Sequence, residues 1–146
     1  MKISVITSTY NSERFIEDSI KSILAQTYDD FEFIIVDDGS TDDTYRIVGS
    51  FDDKRIKYIR CIPNVGVPMN TNFAIDIADG EYIAIQDADD ISLPTRLEQE
   101  IKMLESDKSL FCVGGYAIII NEDGLRMKEW NHPPNSNSGM IDIIAS

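Results

Sequence analysis

The sequence predicts an α/β fold, with a mainly parallel sheet covered by helices on both faces in a Rossmann-like arrangement. Two observations support this prediction. Short β-branched runs alternate four times with segments whose apolar residues recur at helical spacing. In addition, the polar clusters STYN, DDGS and DADD each follow a predicted strand directly. Because ligands bind at the carboxyl ends of the strands in such sheets, we expect these clusters to form a functional site.

The predicted strands are short runs rich in Ile, Val, Phe and Tyr, and polar or glycine-containing turns bound them. The first ends in STYN, the second in DDGS and the fourth in DADD. The last is expected to bend near Gly114 and Gly115, because glycine weakens a strand interior. The five predicted strands cover residues 3–6, 31–36, 56–61, 81–86 and 110–120.

Three of the four predicted helices have a clear apolar face and a recognisable start. Asn11 or Ser12 can cap the first helix, Thr41 and the acids after it begin the second, and the fourth follows Pro94. The residues expected to face the core are Phe15, Ile16, Ile20, Ile23 and Leu24 in the first helix, Ile47, Val48 and Phe51 in the second, and Leu97, Ile101 and Leu104 in the fourth.

The third helix is predicted over residues 69–78, after a turn in which Pro68 suits the first helical turn. We expect this helix to bury Phe73 and Ile77, with Ala74 as a further candidate for the core. Gly80 lies just beyond its end, where a left-handed C-terminal cap favours glycine.

The segment after residue 120 carries weaker signals. Residues 122–124, Glu-Asp-Gly, predict a hairpin-type turn, and residues 132–138 predict a loop. Residues 141–144 are predicted to form the first turn of a helix. His132, between Asn131 and two prolines, is interpreted as a loop residue, and Trp130 as a core or rim aromatic.

The length and charge of the chain limit its partners. At 146 residues we expect a single domain over residues 1–146. A formal net charge of −13 repels nucleic acid and anionic membranes, so a nucleic-acid partner is not expected. A nucleotide ligand would therefore need a cation to hold its phosphates.

Neither the cysteines nor the hydropathy indicates a secreted or membrane-spanning protein. Cys61 and Cys112 are too few and too far apart for a disulfide framework or a metal site. The amino terminus runs directly into a strand, and the longest apolar stretch, over residues 110–120, is too short to cross a bilayer. We expect a cytoplasmic protein, at the inner face of the membrane if a longer parent protein carries an anchor.

Asp87, Asp89 and Asp90 are crowded at the end of a predicted buried strand. Like charges this close destabilise one another unless a cation joins them, and Mg²⁺ or Mn²⁺ binds through one or two carboxylates with phosphate and water. Asp-X-Asp pairs also cap helices and form turns. A calcium loop is excluded because Ser92 stands where such a loop requires glycine.

Two further residues are candidates for ligand contact. Asp38 adds repulsion beside Asp37 without helping the helix cap, and its carboxylate can accept hydrogen bonds from a base or from ribose hydroxyls. Gly39 and Ser40 are interpreted as a turn and helix cap. Tyr10 can stack on a base or serve as a boundary aromatic.

Taken in order, these pieces resemble family 2 of the inverting glycosyltransferases, which have the GT-A fold. The matching stretches are ISVITSTYN, SILAQTYDDFEFIIVDDGSTDDT and NVGVPMNTNFAIDIADGEYIAIQDADDISLPTRLEQEI, and GGYAIIINEDG resembles the strand and turn that follow. The resemblance implies the nucleotide-sugar-binding portion of a GT-A fold that is truncated at its carboxyl terminus, with the acceptor-binding part missing. It also implies a nucleoside-diphosphate-sugar donor, a UDP-sugar above all, bound with Mg²⁺ or Mn²⁺.

Carried over by position, the resemblance implies a role for each of five residues. Ser8 and Tyr10 would lie against the base, and Asp38 would hydrogen-bond base or ribose. Asp87 would approach the ribose or the waters of the metal, and Asp89 would be the direct metal ligand. The metal would offset the charge on the leaving diphosphate in a single displacement with inversion by an acceptor hydroxyl. The implied product is a polysaccharide or cell-surface glycan, on a glycan, lipid-linked or protein acceptor.

The chain departs from the family pattern at two points. Asn70-Thr71-Asn72 replaces the usual Ala-Arg-Asn, which removes a cation from the nucleotide and leaves the donor base open. No catalytic base is assigned, because Asp90, Glu122, Asp123 and His132 do not match its position; we expect the base beyond residue 146. This chain is therefore expected to bind a donor weakly and to transfer poorly or not at all.

Two other functions stay open at the level of sequence. A nucleotidyltransferase also places carboxylates and a metal at strand ends, but it requires a glycine-rich, basic phosphate loop that STYNSERF lacks. A non-catalytic nucleotide-sugar-binding module would keep the fold without transfer activity.

Overall fold

The structure, a computed structural model, describes residues 2–130 and 140–145, with residues 128–130 and 140–145 described by their backbone. It contains two compact units. The first comprises Met1–Lys21 and Asp29–Asp89, and the second comprises Ser22–Tyr28 and Asp90–Ser146. A single domain over residues 1–146 stays a prediction.

The first unit is built on a four-stranded parallel sheet, as the alternation of strands and helices predicts. Its strands are β1 (Ile3–Thr9), β2 (Phe31–Asp37), β3 (Ile56–Arg60) and β4 (Tyr82–Ile85), in the order β3-β2-β1-β4. The chain moves outward from β1 through β2 to β3 and then returns to the other side of β1. The switch in strand order therefore lies between β1 and β4, where an open α/β sheet offers its ligand crevice.

The sheet has apolar residues on both of its faces. Every residue of β2 is buried, which accounts for the continuous run FEFIIV in a strand covered on both sides. Ile6, Ile34 and Val36 form a buried cluster with Ala74 of helix α3 (Val67–Asp76). The other helices are α1 (Ile16–Leu24), α2 (Thr44–Gly49) and α4 (Arg96–Ser106).

Helix α3 differs from its prediction in its start and in the face it buries. It begins at Val67, two residues before the predicted start. Asn70 and Ala74 face the core, whereas Phe73 is 42% exposed, so its predicted burial is wrong. The helix packs on the sheet through small side chains, and this geometry depends on contacts that helical spacing alone does not show.

Gly80 is required for a reason other than the predicted left-handed cap. Among the described glycines, the positive φ angles belong to Gly39, Gly66 and Gly124, so the cap prediction is wrong. A Cβ atom on Gly80 would lie 2.5 Å from the backbone nitrogen of Ser4. Glycine is needed here because two backbone segments approach closely.

The second unit contains helix α4 and a mixed sheet in the order β5-β8-β6-β7. Its strands are β5 (Ile91–Ser92), β6 (Gly114–Ile120), β7 (Arg126–Trp130) and β8 (Met140–Ala145). The predicted strand over residues 110–120 thus begins at its two glycines rather than bending there. The predicted turn is confirmed, since Gly124 has a φ of 75° and the Asn121 N–H donates to the Leu125 carbonyl at 2.9 Å.

The prediction of a helical turn over residues 141–144 is wrong. These residues belong to β8, which pairs in parallel with β6 and antiparallel with β5. A short run of isoleucines suits a strand, and its partners lie more than 20 residues away, where local pattern carries no signal. The loop predicted at residues 132–138, with His132, lies outside the described residues. In the described part of the chain, none of the helices has the length and apolar character needed to cross a membrane.

Candidate functional site

A cavity of about 430 Å³ opens at the carboxyl ends of β1 and β4, at the switch in strand order. It brings together Ser8, Tyr10, Asp87 and Asp89, four of the five residues named as candidates from the sequence. The full set of lining residues is Ile6, Ser8, Tyr10, Asn11, Ser12, Phe15, Val67, Thr71, Ile85, Gln86, Asp87, Ala88 and Asp89. Asp38, the fifth candidate, is not among them.

The cavity is acidic, and its described lining residues include no basic side chain to compensate the charge. Asp87 and Asp89 are exposed, whereas Ala88 between them is buried, so both carboxylates are accessible to solvent. No Lys, Arg or His occurs among the described residues that line the cavity. An anionic ligand would be repelled at this position unless a cation accompanied it.

The hydroxyl of Ser8 is an unsatisfied group on the cavity wall. Its Oγ is buried and has no hydrogen-bond partner within the described part of the chain. Buried polar atoms in folded proteins nearly always have a partner, so an orphaned hydroxyl beside a cavity points to a bond made with a ligand or water. Tyr10, 50% exposed, presents an aromatic ring near the same wall.

The backbone at Asp87 is held by side chains that the sequence reasoning did not identify. Its carbonyl accepts hydrogen bonds from Ser19 Oγ at 3.0 Å and from Gln86 Nε2 at 3.2 Å. Thr7 Oγ1 in turn donates to the Gln86 carbonyl at 2.8 Å. These bonds fix the strand end from which the two carboxylates project. A buried Gln at the end of an apolar strand is the signal that could have found them.

Asp38 supports the turn that precedes helix α3. Its carboxylate is 3% exposed and accepts the backbone N–H groups of Val65 and Gly66, each at 2.8 Å. Burial by itself would raise the pKa of Asp38, but the Val65 N–H, the nearby Asn70 amide and the Gly66 N–H together lower it below its ordinary value. The group is therefore ionised at neutral pH, and both oxygens already serve the turn.

Asp37 is also committed to local structure. It is fully buried, and its oxygens accept the Ser40 N–H at 2.8 Å and the Tyr58 hydroxyl at 2.6 Å. Burial and then the bond to Asp37 raise the pKa of Tyr58, so this phenol stays protonated. The Ser40 bond and a φ of 79° at Gly39 confirm that DDGS forms a turn.

Asp87 and Asp89 fit a divalent cation held jointly with a ligand. The described residues contain no cluster of three or more His, Cys, Asp or Glu side chains that could hold a metal ion alone. Mg²⁺ and similar ions are commonly bound by one or two carboxylates, with phosphate oxygens and water completing the shell. An accessible pair of carboxylates beside an open cavity has the donor chemistry for such a shared site.

Comparison with known proteins supplies the family. The sequence model for "Glycosyl transferase family 2" matches residues 4–142. A curated relative, the UDP-Glc:alpha-D-GlcNAc-diphosphoundecaprenol beta-1,3-glucosyltransferase WfaP of Escherichia coli, is 36% identical over 139 residues, which cover 95% of this chain and 55% of the relative. The chain spans about half the length of the curated relatives it matches.

Solved structures agree with this match. S. aureus TarS 1–349 in complex with UDP-GlcNAc is similar with a TM-score of 0.70 and 31% identity, over 82% of this chain and 34% of that one. The mannosyltransferase PcManGT from Pyrobaculum calidifontis, in complex with GDP-Man and Mn²⁺, gives a TM-score of 0.68 and 27% identity, over 82% of this chain and 35% of that one. The expected GT-A fold is thereby confirmed, and the chain belongs to glycosyl transferase family 2.

Proposed function

We propose that the cavity at the carboxyl ends of β1 and β4 binds a nucleoside-diphosphate sugar, a UDP-sugar above all, together with a divalent cation. The observation that carries the proposal is the chemistry of its wall: two accessible carboxylates, an orphaned buried hydroxyl and an exposed aromatic ring, with no base among the described lining residues. Similar proteins support it, since TarS is complexed with UDP-GlcNAc and PcManGT with GDP-Man and Mn²⁺.

For each side chain we propose the role that the family resemblance implies. Ser8 Oγ supplies a hydrogen bond to the base, and the Tyr10 ring provides a face on which the base can lie. Asp38 contributes to donor binding through the turn that its carboxylate holds. A direct contact requires that a donor group of the base or ribose reach the remaining lone pairs of that carboxylate. Because Asp38 is not among the residues that line the cavity, its role can be tested separately from those of the lining residues.

Asp89 and Asp87 are the proposed holders of Mg²⁺ or Mn²⁺, with Asp89 as the direct ligand and Asp87 near the ribose or the metal-bound water. When bound, the ion supplies electrostatic stabilisation of the leaving diphosphate. The carboxylates themselves fix where that positive charge can reside. Without it they repel the donor, so we propose that donor binding depends on the metal.

We propose that the reaction is transfer of the sugar to an acceptor hydroxyl, in a single displacement with inversion, during synthesis of a polysaccharide or other cell-surface glycan. The name of WfaP describes a diphosphoundecaprenol-linked acceptor, which supports a lipid-linked glycan as the acceptor. The inner face of the membrane is our proposal for the place of action. We assign no catalytic base within residues 1–146.

Calorimetric titration of UDP-, GDP- and dTDP-sugars, each with and without Mn²⁺, tests the proposal. We expect binding of a UDP-sugar that requires Mn²⁺ and that Asp89→Ala weakens by about a hundredfold, as loss of a direct metal ligand implies. Asp52→Ala is a suitable control, because Asp52 is an exposed acid of the same unit outside the cavity.

Two results would contradict the proposal. One is the absence of metal-dependent binding to any of the three donors. The other is an Asp89→Ala variant that binds as the wild type does while Mn²⁺ still enhances the affinity.

A further inference from the structure

The loops that follow β1 and β2 are joined by reciprocal hydrogen bonds, which we call the inter-loop brace. It consists of residues 11–13 on one loop and residues 40–44 on the other. The Asn11 N–H donates to Ser40 Oγ at 2.9 Å, and the Thr41 N–H donates back to Asn11 Oδ1 at 2.8 Å. The Ser12 N–H donates to Thr44 Oγ1 at 2.8 Å.

Glu13 continues the same pattern. Its N–H donates to Asp42 Oδ2 at 3.0 Å, and its Oε2 accepts the Asp43 N–H at 2.9 Å. Each of these five bonds joins a backbone N–H of one loop to a side-chain oxygen of the other. Such bonds replace the regular ladder that two loops cannot form, and each satisfies a donor that would otherwise need water.

Asn11 has an unusual backbone conformation at the centre of the brace. Its φ of 51° is the only positive value among the described non-glycine residues. A left-handed conformation is uncommon outside glycine, although Asn tolerates it best, and strained positions persist where the surroundings determine them. The three bonds between Asn11 and the second loop, including the one from the Thr41 hydroxyl to Asn11 Oδ1 at 3.3 Å, provide that determination.

The brace links buried anchors to the cavity wall. Ser40 and Thr44 are both fully buried, and neither lines the cavity. Tyr10, Asn11 and Ser12 do line it. The hydroxyls of the two anchors therefore act on the cavity only through the loop that they hold.

We infer that Ser40, Thr44 and Asn11 are positioning residues for the donor: they hold residues 10–12 in the conformation that binds the nucleotide. This inference rests on the proposed function. A loop that is already ordered loses less conformational freedom on binding, so Ser40 and Thr44 raise affinity without touching the ligand. Loosening the brace lowers affinity even where every contacting side chain is retained.

Four variants of the whole 146-residue chain test the inference. Ser40→Ala and Thr44→Val each delete one anchor oxygen, and Thr44→Ser restores it. Ser4→Ala is the matched control: Ser4 is equally buried, its Oγ makes hydrogen bonds with Glu32 and Gly80, and it lies at the amino end of the same sheet. The readouts are the Kd for UDP in the presence of Mn²⁺, the Tm, and hydrogen–deuterium exchange of peptides covering residues 8–13.

We expect Ser40→Ala and Thr44→Val to raise the Kd by about tenfold, with faster exchange in residues 8–13. Thr44→Ser should return both measurements toward the wild type. Ser4→Ala should lower the Tm and leave the Kd unchanged. A purely structural role for the brace predicts this same pattern for Ser40→Ala and Thr44→Val.

Two outcomes overturn the inference, and they are distinguishable. Wild-type Kd values in Ser40→Ala and Thr44→Val, with faster exchange in residues 8–13, would refute the positioning role and leave the proposed function intact. Failure of the wild-type chain itself to bind UDP with Mn²⁺ would refute both.

Discussion

The two ends of the parallel sheet in the first unit treat their acidic residues differently. At the amino end, Glu32 is 1% exposed and is surrounded by donors: Ser4 Oγ at 2.5 Å, the Asp79 N–H at 2.7 Å and Lys57 Nζ at 2.6 Å. Lys57 also pairs with Asp79 at 2.7 Å. The negative charges of Glu32 and Asp79 are thus compensated within the fold.

At the carboxyl end, Asp87 and Asp89 lack such compensation. No basic side chain of the described residues forms an ion pair with either carboxylate. The neighbouring Asp37 and Asp38 differ, since Asp37 accepts a hydrogen bond from its own turn and Asp38 accepts two from the turn before helix α3. Uncompensated charge thus occurs beside the cavity, where a bound cation and a phosphate can supply the balance.

The comparison predicts that removing an acid at each end has unequal effects on stability, and this is the largest effect we expect. Glu32→Ala should lower the free energy of unfolding by about 2–3 kcal/mol, because it leaves the buried Ser4 hydroxyl and the partly buried Asp79 N–H without their acceptor. Asp89→Ala should change it by no more than about 0.5 kcal/mol. Urea unfolding of both variants measures the difference. Equal losses in the two variants would break the distinction between the two ends.

A second prediction concerns a variant that adds a basic side chain to the cavity wall. Thr71 lines the cavity from helix α3, and Thr71→Arg would place a cation where the lining has none. We expect the affinity for UDP without metal to rise by about tenfold, because one charge-assisted contact to phosphate contributes that much.

Asn72→Arg provides the matched control for this prediction. It adds the same charge at the next position of the helix, on an exposed residue outside the lining. If calorimetry without metal finds equal affinities in the two variants, any gain in affinity for UDP results from net charge and not from a position in the cavity.

Local sequence signals were sufficient to predict much of the fold and the residues that converge at the site. Alternating β-branched and helical runs define β1 to β4 because each signal lies within one element. Ser8, Tyr10, Asp87 and Asp89 meet because they lie at the carboxyl ends of β1 and β4, which are neighbours in a parallel sheet, a geometric consequence of fold class.

The features that sequence reasoning missed depend on distant partners. Residues 141–144 pair with β6, and Gly80 is required by the backbone of Ser4. Asp38 resembled a ligand-binding acid, yet its oxygens hold N–H groups 27 and 28 residues away in the chain. Residue type could not reveal these uses, since each is decided by which backbone the fold brings alongside.

The smallest predicted effect concerns pH and the compensated acids. The hydrogen bond with Arg55 lowers the pKa of Asp53 to about 2, and the ion pair with Lys57 and the bonds from Ser4 and the Asp79 N–H lower that of Glu32 against the effect of burial. Groups with a lowered folded pKa stabilise the fold above their ordinary pKa, and this contribution is lost as pH falls toward the folded value. The urea midpoint should therefore decrease as the pH is lowered from about 4.5 to about 2.

Asp53→Asn should make that loss of stability smaller, by about 1 kcal/mol or less because Asp53 is partly exposed to solvent. An Asp53→Asn chain that loses stability as steeply as the wild type over this range would show that the Asp53–Arg55 pair does not contribute to stability.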